Sequence, residues 1–219
     1  MTNAADSTPL SSRDADLLLS QVRLLGEPVL RRTAQMVEGN DPEFETEKRK
    51  LESVLAAFRS KHGFGRAIAA PQIGVEKRFI ALNFGRGPFV MVNPQIVERG
   101  QTTMSLWDDC MSFPSLMVKV KRAMSITVEY TDEQGAKCEW RVGEPAVAEL
   151  LQHEIDHLDG VLFIDHLVSP GSLWKISDEP DEDDVDDDDG LEGGDSNTPA
   201  MTAAAPAQTG DSYAPQDPD

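Results

Sequence analysis

Apolar residues recur at intervals of three and four positions across residues 43–61, and this spacing predicts an amphipathic helix. The apolar positions are Phe44, Leu51, Val54, Leu55 and Phe58. Glu, Lys and Arg fill the positions between them, as expected for a solvent-facing side. Gly63 is the predicted stop, because glycine readily adopts the conformation that ends helices. We expect this helix to serve packing rather than chemistry.

Five short stretches rich in Val, Ile, Phe and Tyr predict β-strands, at residues 78–83, 90–97, 117–120, 125–130 and 137–142. Residues 134 and 135, Gln-Gly, turn the chain between the last two, which are therefore expected to pair as a hairpin. Short strands with Gly- and Pro-rich connections and few helices favour an α+β fold with mixed or antiparallel sheets over a wound parallel sheet.

Two further helices and two disordered tails complete the predicted organisation. A short helix is expected over residues 14–22, and a longer one over residues 146–158. Residues 1–13 hold little that a core could bury, and we predict them to be disordered. Residues 177–219 begin with a nearly continuous acidic run and continue in Gly, Ala, Thr, Pro and Gln, so we predict disorder there too. One folded domain, residues 14–176, lies between the tails.

The negative charge of the chain is concentrated in its last part. The formal net charge is -19, but residues 170–219 hold 15 acidic residues and one basic residue, Lys175. The rest, with 19 basic and 24 acidic residues, has a net charge of about -5. A mildly acidic domain offers no basic face for nucleic acid, so we expect no direct DNA binding.

The cysteine content and the lack of long apolar runs indicate in which cellular compartment the protein is expected. Two cysteines, Cys110 and Cys138, do not make a disulfide framework and favour a reducing compartment. No apolar run is long enough to span a membrane. The first 20 residues lack the order of a signal peptide and carry Asp6, Asp14 and Asp16, which argue against a transit peptide. We expect a cytoplasmic monomer.

Candidate chemistry centres on residues 153–157, with the sequence HEIDH, inside the predicted helix 146–158. Four residues are slightly more than one helical turn, so His153 and His157 project from one face and can bind one divalent metal ion. Glu154 lies beside the metal, where it can take a proton from a water whose pKa the metal has lowered. This pattern is typical of metal-assisted hydrolysis. The alternative is an ordinary helix with two polar surface histidines.

A catalytic site of this kind needs a third protein ligand and a position for water. Downstream, Phe163 occupies the position at which one class has a third histidine, and the first glutamates, Glu179 and Glu182, fall in the predicted tail. His166 is a candidate, although it follows an apolar stretch that we expect in the core. Upstream, Cys110 would complete a set of one thiolate and two imidazoles. A cysteine considered alone, whether Cys110 or Cys138, is more often a buried small apolar residue than a metal ligand.

Three segments together resemble motifs of the peptide deformylase family. They are residues 67–74 (AIAAPQIG), 108–112 (DDCMS) and 152–160 (QHEIDHLDG). Further similarity lies at residues 25–30 (LGEPVL) and 160–165 (GVLFID), so that the resemblance covers about residues 22–168. Three ordered motifs are much more specific than any one of them.

The resemblance implies a fold in which short-stranded sheets enclose a central helix with the HExxH pattern. It implies hydrolytic removal of the N-formyl group from formyl-methionine at the start of nascent polypeptides, with release of formate. The implied substrates are formyl-Met peptides and ribosome-associated nascent chains. The implied metal is Fe(II), with Zn, Ni or Co as replacements, and thiolate ligation suits such a metal without distinguishing iron from zinc.

The resemblance also implies roles for single residues. It assigns metal ligation to Cys110, His153 and His157. It assigns the general acid/base role to Glu154, because a carboxylate there can pass the proton of water to the leaving amine. Stabilisation of the charge that develops on the formyl oxygen falls to the side-chain amide of Gln72 and the backbone N–H of Met111.

The chain departs from the family at four positions around the expected cleft. Asp109 stands where the family has glycine, and Ala67 and Ile68 stand where it has Gly and Leu. Together with Gly65, these residues are the expected substrate-binding positions, since small residues let a ligand approach the backbone closely. Asp109 adds a side chain and a charge, so we expect a narrower pocket or a changed preference.

The fourth departure is Asp108, which stands where the family has Glu. Its shorter carboxylate can still form an ion pair, and the resemblance implies Arg122 as the partner. The metal ligands, Glu154 and Gln72 are untouched, and an active, divergent deformylase is the function that the sequence favours.

Three other functions are compatible with the sequence. One is an HExxH metalloprotease, which the absent downstream ligand disfavours. The second is a deformylase-like protein with altered or lost activity that binds peptide N-termini, and Asp109 and Ala67 motivate this alternative. The third is a hydrolase for a different acyl group.

Overall fold

A computed structural model describes residues 11–175, which contain three α-helices and eight β-strands. The helices are α1 (Ser12–Leu19), α2 (Phe44–His62) and α3 (Pro145–Leu158). The strands are β1 (Ala67–Ala69), β2 (Phe79–Asn83), β3 (Pro88–Arg99), β4 (Thr103–Asp109), β5 (Leu116–Ala123), β6 (Ile126–Thr131), β7 (Lys137–Val142) and β8 (Leu173–Lys175). Short 3-10 turns occupy Pro28–Arg31, Ala70–Ile73, Phe163–His166 and Pro170–Ser172.

The strands form two antiparallel sheets. One has five strands in the order β1-β2-β3-β6-β7, and the other has three in the order β4-β5-β8. Every ladder between these named strands is antiparallel. The predicted hairpin is present, with Ile126 opposite Val142 and Thr131 opposite Lys137. The α+β prediction is therefore confirmed.

Helix α3 lies between the two sheets, and nearly all of its residues are buried. Leu151, Ile155 and Leu158 pack with Ile80 and Val128 of the five-stranded sheet. Burying one such aliphatic side chain contributes about 1.5–3 kcal/mol, so this face holds the helix firmly. A helix buried on almost all sides cannot present His153 and His157 as ordinary surface residues.

Two smaller clusters complete the core. Helix α2 packs Leu51 and Leu55 against Ile68 and Phe79. The three-stranded sheet buries Val118 and Val120 in a third cluster, which also contains Cys110, Phe113 and Phe163. The third cluster therefore joins the segment after β4 to the chain that follows α3.

The observed ends of the helices differ from the predicted ends by up to three residues. Helix α2 matches the prediction within one residue, and Gly63 ends it with a φ of 76°. Helix α1 begins two residues earlier than predicted, because the side chain of Ser11 accepts a hydrogen bond from the N–H of Asp14 and caps it. It ends at Leu19, three residues short of the predicted limit.

Three strands were missed, namely β1, β4 and β8. β1 and β8 have three residues each, too few for a periodic signal. β4 ends in Asp108 and Asp109, and aspartate is depleted in strands. Its seven residues are ordered by pairing with β5, which is a tertiary effect.

The predicted tails fall largely beyond this region. Residues 1–10 and 176–219, including the acidic run, lie outside the described residues. Among residues 11–175, no helix combines the length and the apolar character needed to cross a membrane.

Candidate metal centre and active site

Helix α3 places the two histidines on one face, next to each other. The ring centroids of His153 and His157 are 5.0 Å apart. Their exposed fractions are 7% and 1%. The four-residue spacing dictates this juxtaposition, because it is close to one turn of helix.

Cys110 reaches this helix from the end of β4. Its Sγ atom lies 3.3 Å from Nε2 of His157. One ligand atom from each of Cys110, His153 and His157 lies within 4.8 Å of the others. All three residues are buried, and the backbone N–H of Phe113 donates to the carbonyl of Cys110 in the turn that aims the thiol inward.

The three groups fit a transition-metal ion. One sulfur and two ring nitrogens make a donor set typical of zinc or iron, and three protein ligands leave a position for solvent. Burial, with a further contribution from His153, lowers the pKa of His157 to about 3, so its imidazole is neutral at pH 7. A neutral imidazole is the form that binds metal.

Asp108 orients the ring of His153 through its Nδ1 atom. Its carboxylate lies 3.0 Å from Nδ1 of His153, which leaves Nε2 facing Cys110 and His157. Burial disfavours the charged imidazole, but Asp108 and Cys110 outweigh it and raise the pKa of His153 well above its usual range. Burial likewise acts to raise the pKa of Asp108, yet His153 and Arg122 hold that pKa at about 2.

Arg122 binds the other side of Asp108. Its Nη2 and Nε atoms donate to Oδ2 of Asp108 at 3.0 and 3.3 Å. Both side chains are buried. The carboxylate therefore bridges an arginine of β5 and a histidine of α3.

Glu154 is buried beside the cluster, with one carboxylate oxygen unpaired in the described part of the chain. Its exposed fraction is 4%, and its Oε2 atom has no hydrogen bond within the described structure. Burial raises the pKa of Glu154 to about 7. A carboxyl group with this pKa can accept and return a proton near neutral pH.

Gln72 directs its amide nitrogen at the same cluster. Nε2 lies 3.5 Å from Sγ of Cys110 and 3.3 Å from Oγ of Ser112. The other end of the amide is fixed, since Oε1 accepts a hydrogen bond of 2.8 Å from the N–H of Ala69. Gln72 is thus a preoriented donor rather than a mobile surface amide.

The expected substrate-binding residues differ widely in how far they are buried. Ile68 is fully buried in the cluster beneath α2, so its side chain belongs to the core. Ala67 is also buried, whereas Gly65 is half-buried. Asp109 is exposed at the end of β4, and Met111 is partly buried against the α2 cluster.

Sequence reasoning missed the contacts of Asp156 with Arg122 and His166. Oδ2 of Asp156 accepts from Nη1 of Arg122 at 2.8 Å and lies 2.9 Å from Nε2 of His166. His166 therefore contacts Asp156 and is not among the three clustered ligands of the described region. The position of Asp156 between the two histidines was the available signal.

A second missed feature is an ion pair one helical turn before His153. Nη2 of Arg66 lies 2.5 Å from Oε1 of Glu149, and Nη1 donates to the carbonyl of Ala146. This pair attaches the chain before β1 to the start of α3. The remaining alternative ligands also lie elsewhere: Phe163 is packed against Phe113, and Glu179 and Glu182 fall outside the described residues.

The sequence of the chain is similar to known peptide deformylases. A profile of the family described as polypeptide deformylase matches residues 19–172. The peptide deformylase of Thermotoga neapolitana is 37% identical over 147 residues, which are 67% of this chain and 86% of the relative. That of Thermotoga maritima is 36% identical over 147 residues, with the same coverage.

Solved structures agree with the sequence relatives. The crystal structure of peptide deformylase from Thermotoga maritima aligns with a TM-score of 0.60 and 34% identity, over 68% of this chain and 97% of that one. A peptide deformylase from Synechococcus elongatus in complex with actinonin aligns with a TM-score of 0.63 and 30% identity, over 69% and 80%.

Proposed function

The chain belongs to the peptide deformylase family, and on that premise we propose that it removes the N-formyl group from the formyl-methionine of nascent polypeptides in a metal-dependent hydrolysis. The observation that carries the proposal is the convergence of Cys110, His153 and His157, with ligand atoms within 4.8 Å of one another. Glu154 and Gln72 lie beside this cluster, and we propose them as the proton carrier and the hydrogen-bond donor that the reaction needs.

The thiolate of Cys110 and the Nε2 atoms of the two histidines are the groups proposed to hold the metal. When bound, a divalent ion supplies Lewis-acid activation of water at this point. We propose Fe(II) as the native ion because the resemblance to the family implies it, and the thiolate ligand is compatible with that choice. Zn, Ni or Co are proposed as replacements that the same three ligands accept.

Glu154 is proposed to move the proton. Water adds to the formyl carbon, and Glu154 takes the proton that this water loses. The carbon–nitrogen bond then breaks, formate leaves, and Glu154 returns the proton to the nitrogen of the new free amine. General acid–base catalysis of this kind contributes about 10²–10⁴-fold to the rate. The raised pKa of Glu154 suits both halves of the transfer.

Gln72 and Met111 are proposed to stabilise the formyl oxygen while it carries negative charge. The amide nitrogen of Gln72 is already directed at the cluster, at 3.5 Å from Sγ of Cys110. The backbone N–H of Met111 follows Cys110 directly in the chain. Loss of one such donor costs about 2.7–4 kcal/mol in other enzymes that stabilise an oxyanion.

The peptide is proposed to lie against the chain segments that flank the cluster. Gly65, Ala67 and Ile68 offer backbone at the start of the first sheet, and Asp109 offers an exposed carboxylate next to Cys110. Because the Ile68 side chain is buried, its proposed contribution is through the backbone alone. Ribosome-associated nascent chains are the proposed source of substrate.

Formate release from a formyl-Met peptide tests the proposal. Purified protein loaded anaerobically with Fe(II) or Ni(II) is expected to release formate and a free N-terminus. The same peptide with an acetyl group tests the alternative acyl substrate, and an internally quenched peptide tests protease activity. Bound metal without formate release would overturn the proposal.

A further inference from the structure

One arginine joins the two parts of the chain that carry the clustered ligands. Arg122, on β5, donates from Nη2 to Asp108 at 3.0 Å and from Nη1 to Asp156 at 2.8 Å. Its side chain is 3% exposed, so both bonds are shielded from water. Shielded hydrogen bonds between charged groups are stronger and more directional than exposed ones.

The two carboxylates that Arg122 binds each lie close in the chain to a clustered ligand. Asp108 ends β4, two residues before Cys110, and contacts Nδ1 of His153. Asp156 is on α3, directly before His157. The guanidinium therefore holds the strand that delivers the thiol at a set distance from the helix that delivers the imidazoles.

His166 closes this chain of contacts at the surface. Its Nε2 atom lies 2.9 Å from Oδ2 of Asp156, the same oxygen that accepts from Arg122. The His166 side chain is 35% exposed, and the residue ends the 3-10 turn that contains the buried Phe163. Because a carboxylate oxygen can only accept, Nε2 of His166 donates to Asp156 and helps to fix the oxygen that Arg122 also binds.

We infer that Asp156 and His166 are positioning residues that set the geometry of the Cys110, His153 and His157 ligands through Arg122. The inference rests on the proposed function, because it assumes that these three groups bind a metal ion. Asp156→Asn leaves Nη1 of Arg122 with at most a neutral acceptor, which binds a buried guanidinium more weakly than a carboxylate does. The guanidinium would then shift towards its remaining charged partner and would draw Asp108, and with it His153, out of alignment.

The structure offers a matched control on the same helix. Asp159, at the C-terminal end of α3, pairs with the buried Arg78 at 2.5 Å. This pair also joins a carboxylate at the end of α3 to a buried arginine, and the Asp159 side chain is 48% exposed against 15% for Asp156. The backbone N–H of Asp159 donates to the carbonyl of His157, but its carboxylate pairs with Arg78 and not with a ligand side chain. Asp159→Asn therefore removes a charge pair at the same end of the helix without disturbing the Arg122 contacts.

The test uses the full chain loaded with cobalt(II), whose absorption reports ligand geometry. Three quantities are measured for each variant: the metal affinity, by competition with a chelator, the cobalt absorption spectrum, and the melting temperature. Asp156→Asn is expected to weaken metal binding by about tenfold, the lower end of the range for groups that orient ligands, and to change the spectrum. His166→Phe is expected to change both readouts in the same direction by less.

Two further variants separate positioning from general stability. His166→Gln keeps an amide donor near the place of Nε2, so we expect it to restore the affinity and spectrum that His166→Phe loses. Asp159→Asn is expected to lower the melting temperature and leave the cobalt spectrum unchanged.

Three results would overturn the inference. They are an unchanged spectrum and affinity in Asp156→Asn, an equal spectral change in Asp159→Asn, and no recovery in His166→Gln. Formate release is not a readout here, so a wild-type protein that binds cobalt without releasing formate would count against the proposed function alone.

Discussion

The thiol of Cys110 and the ring of His157 are separated by 47 positions in the chain, yet Sγ and Nε2 lie 3.3 Å apart. The contact depends on the end of β4 meeting the face of α3 that carries the histidines. Replacing Cys110 tests directly whether the cluster binds metal, because the second cysteine of the protein, Cys138, can serve as a control.

Cys110→Ser is expected to lose most of its bound metal. A serine hydroxyl does not ionise near neutral pH, so the site would keep two imidazoles without the anionic ligand. Metal content by elemental analysis and the loss of the sulfur-to-cobalt absorption band measure the change. Cys138→Ser is the control, since Cys138 lies on β7, where its Sγ donates to the carbonyl of Ala136, and is not one of the three clustered ligands of the described region. Equal metal loss in both variants would contradict the assignment.

Glu154→Ala is expected to abolish formate release while the protein retains metal. Glu154 is not among the clustered ligands, and removal of a general acid/base lowers kcat by about 10²–10⁴-fold. Steady-state kinetics and metal content of the same preparation provide the two measurements. Activity within a few per cent of wild type would show that the proton passes through another group.

Gln72→Glu is expected to reduce kcat by about 10²–10³-fold. The substituted side chain keeps an oxygen for the N–H of Ala69 but replaces the donor at Nε2 with an acceptor. Thermal unfolding should show that the fold persists, because the contact to Ala69 is retained. A change in KM with unchanged kcat would mean that Gln72 binds substrate and transition state alike.

Gly160→Ala is expected to destabilise the fold more than Gly135→Ala. Both glycines have positive φ, 73° and 87°, which costs an L-residue about 1–2 kcal/mol. A Cβ atom at Gly160 would also lie 2.7 Å from the carbonyl oxygen of Arg31, whereas nothing lies within 4 Å at Gly135. Melting temperatures of the two variants measure the difference, and equal shifts would contradict the predicted clash.

Asp165→Asn is expected to lower stability at neutral pH and to have less effect in acid. Asp165 pairs with Arg31 and accepts from the N–H of Leu162; burial acts to raise its pKa, but these contacts outweigh it and lower the pKa below the usual 3.8. A lowered folded-state pKa means that the charge stabilises the fold above pH 3.8 and that this contribution is lost as the pH falls below it. The difference in melting temperature between wild type and variant should therefore shrink at acidic pH. A difference independent of pH would assign the effect to packing.

Local regularities explain why much of the fold was predictable. The spacing of Leu51, Val54 and Leu55 predicted helix α2 within one residue. The hairpin of β6 and β7 followed from two strand-like stretches on either side of a Gln-Gly turn. His153 and His157 were placed on one face by helix geometry alone. These features depend on residues close together in the chain.

The missed features depend instead on distant partners. β4 is ordered by β5, and its polar end carries no strand signal. The contact between Asp156 and His166 was not predicted, and the pair Arg66–Glu149 joins segments 83 residues apart. Such pairings leave no periodic trace in a single sequence.

The amino-acid sequence by itself determined the elements, the two histidines and Glu154 on one helix, and the family through three ordered motifs. Only the tertiary structure decided that Cys110 reaches His157, that the Ile68 side chain is buried in the core, and that one buried arginine links both ligand-bearing segments. The physical reason is that secondary structure follows short-range periodicity, whereas contacts between strands and helices depend on how complementary surfaces pack and on where buried charges find their counterions.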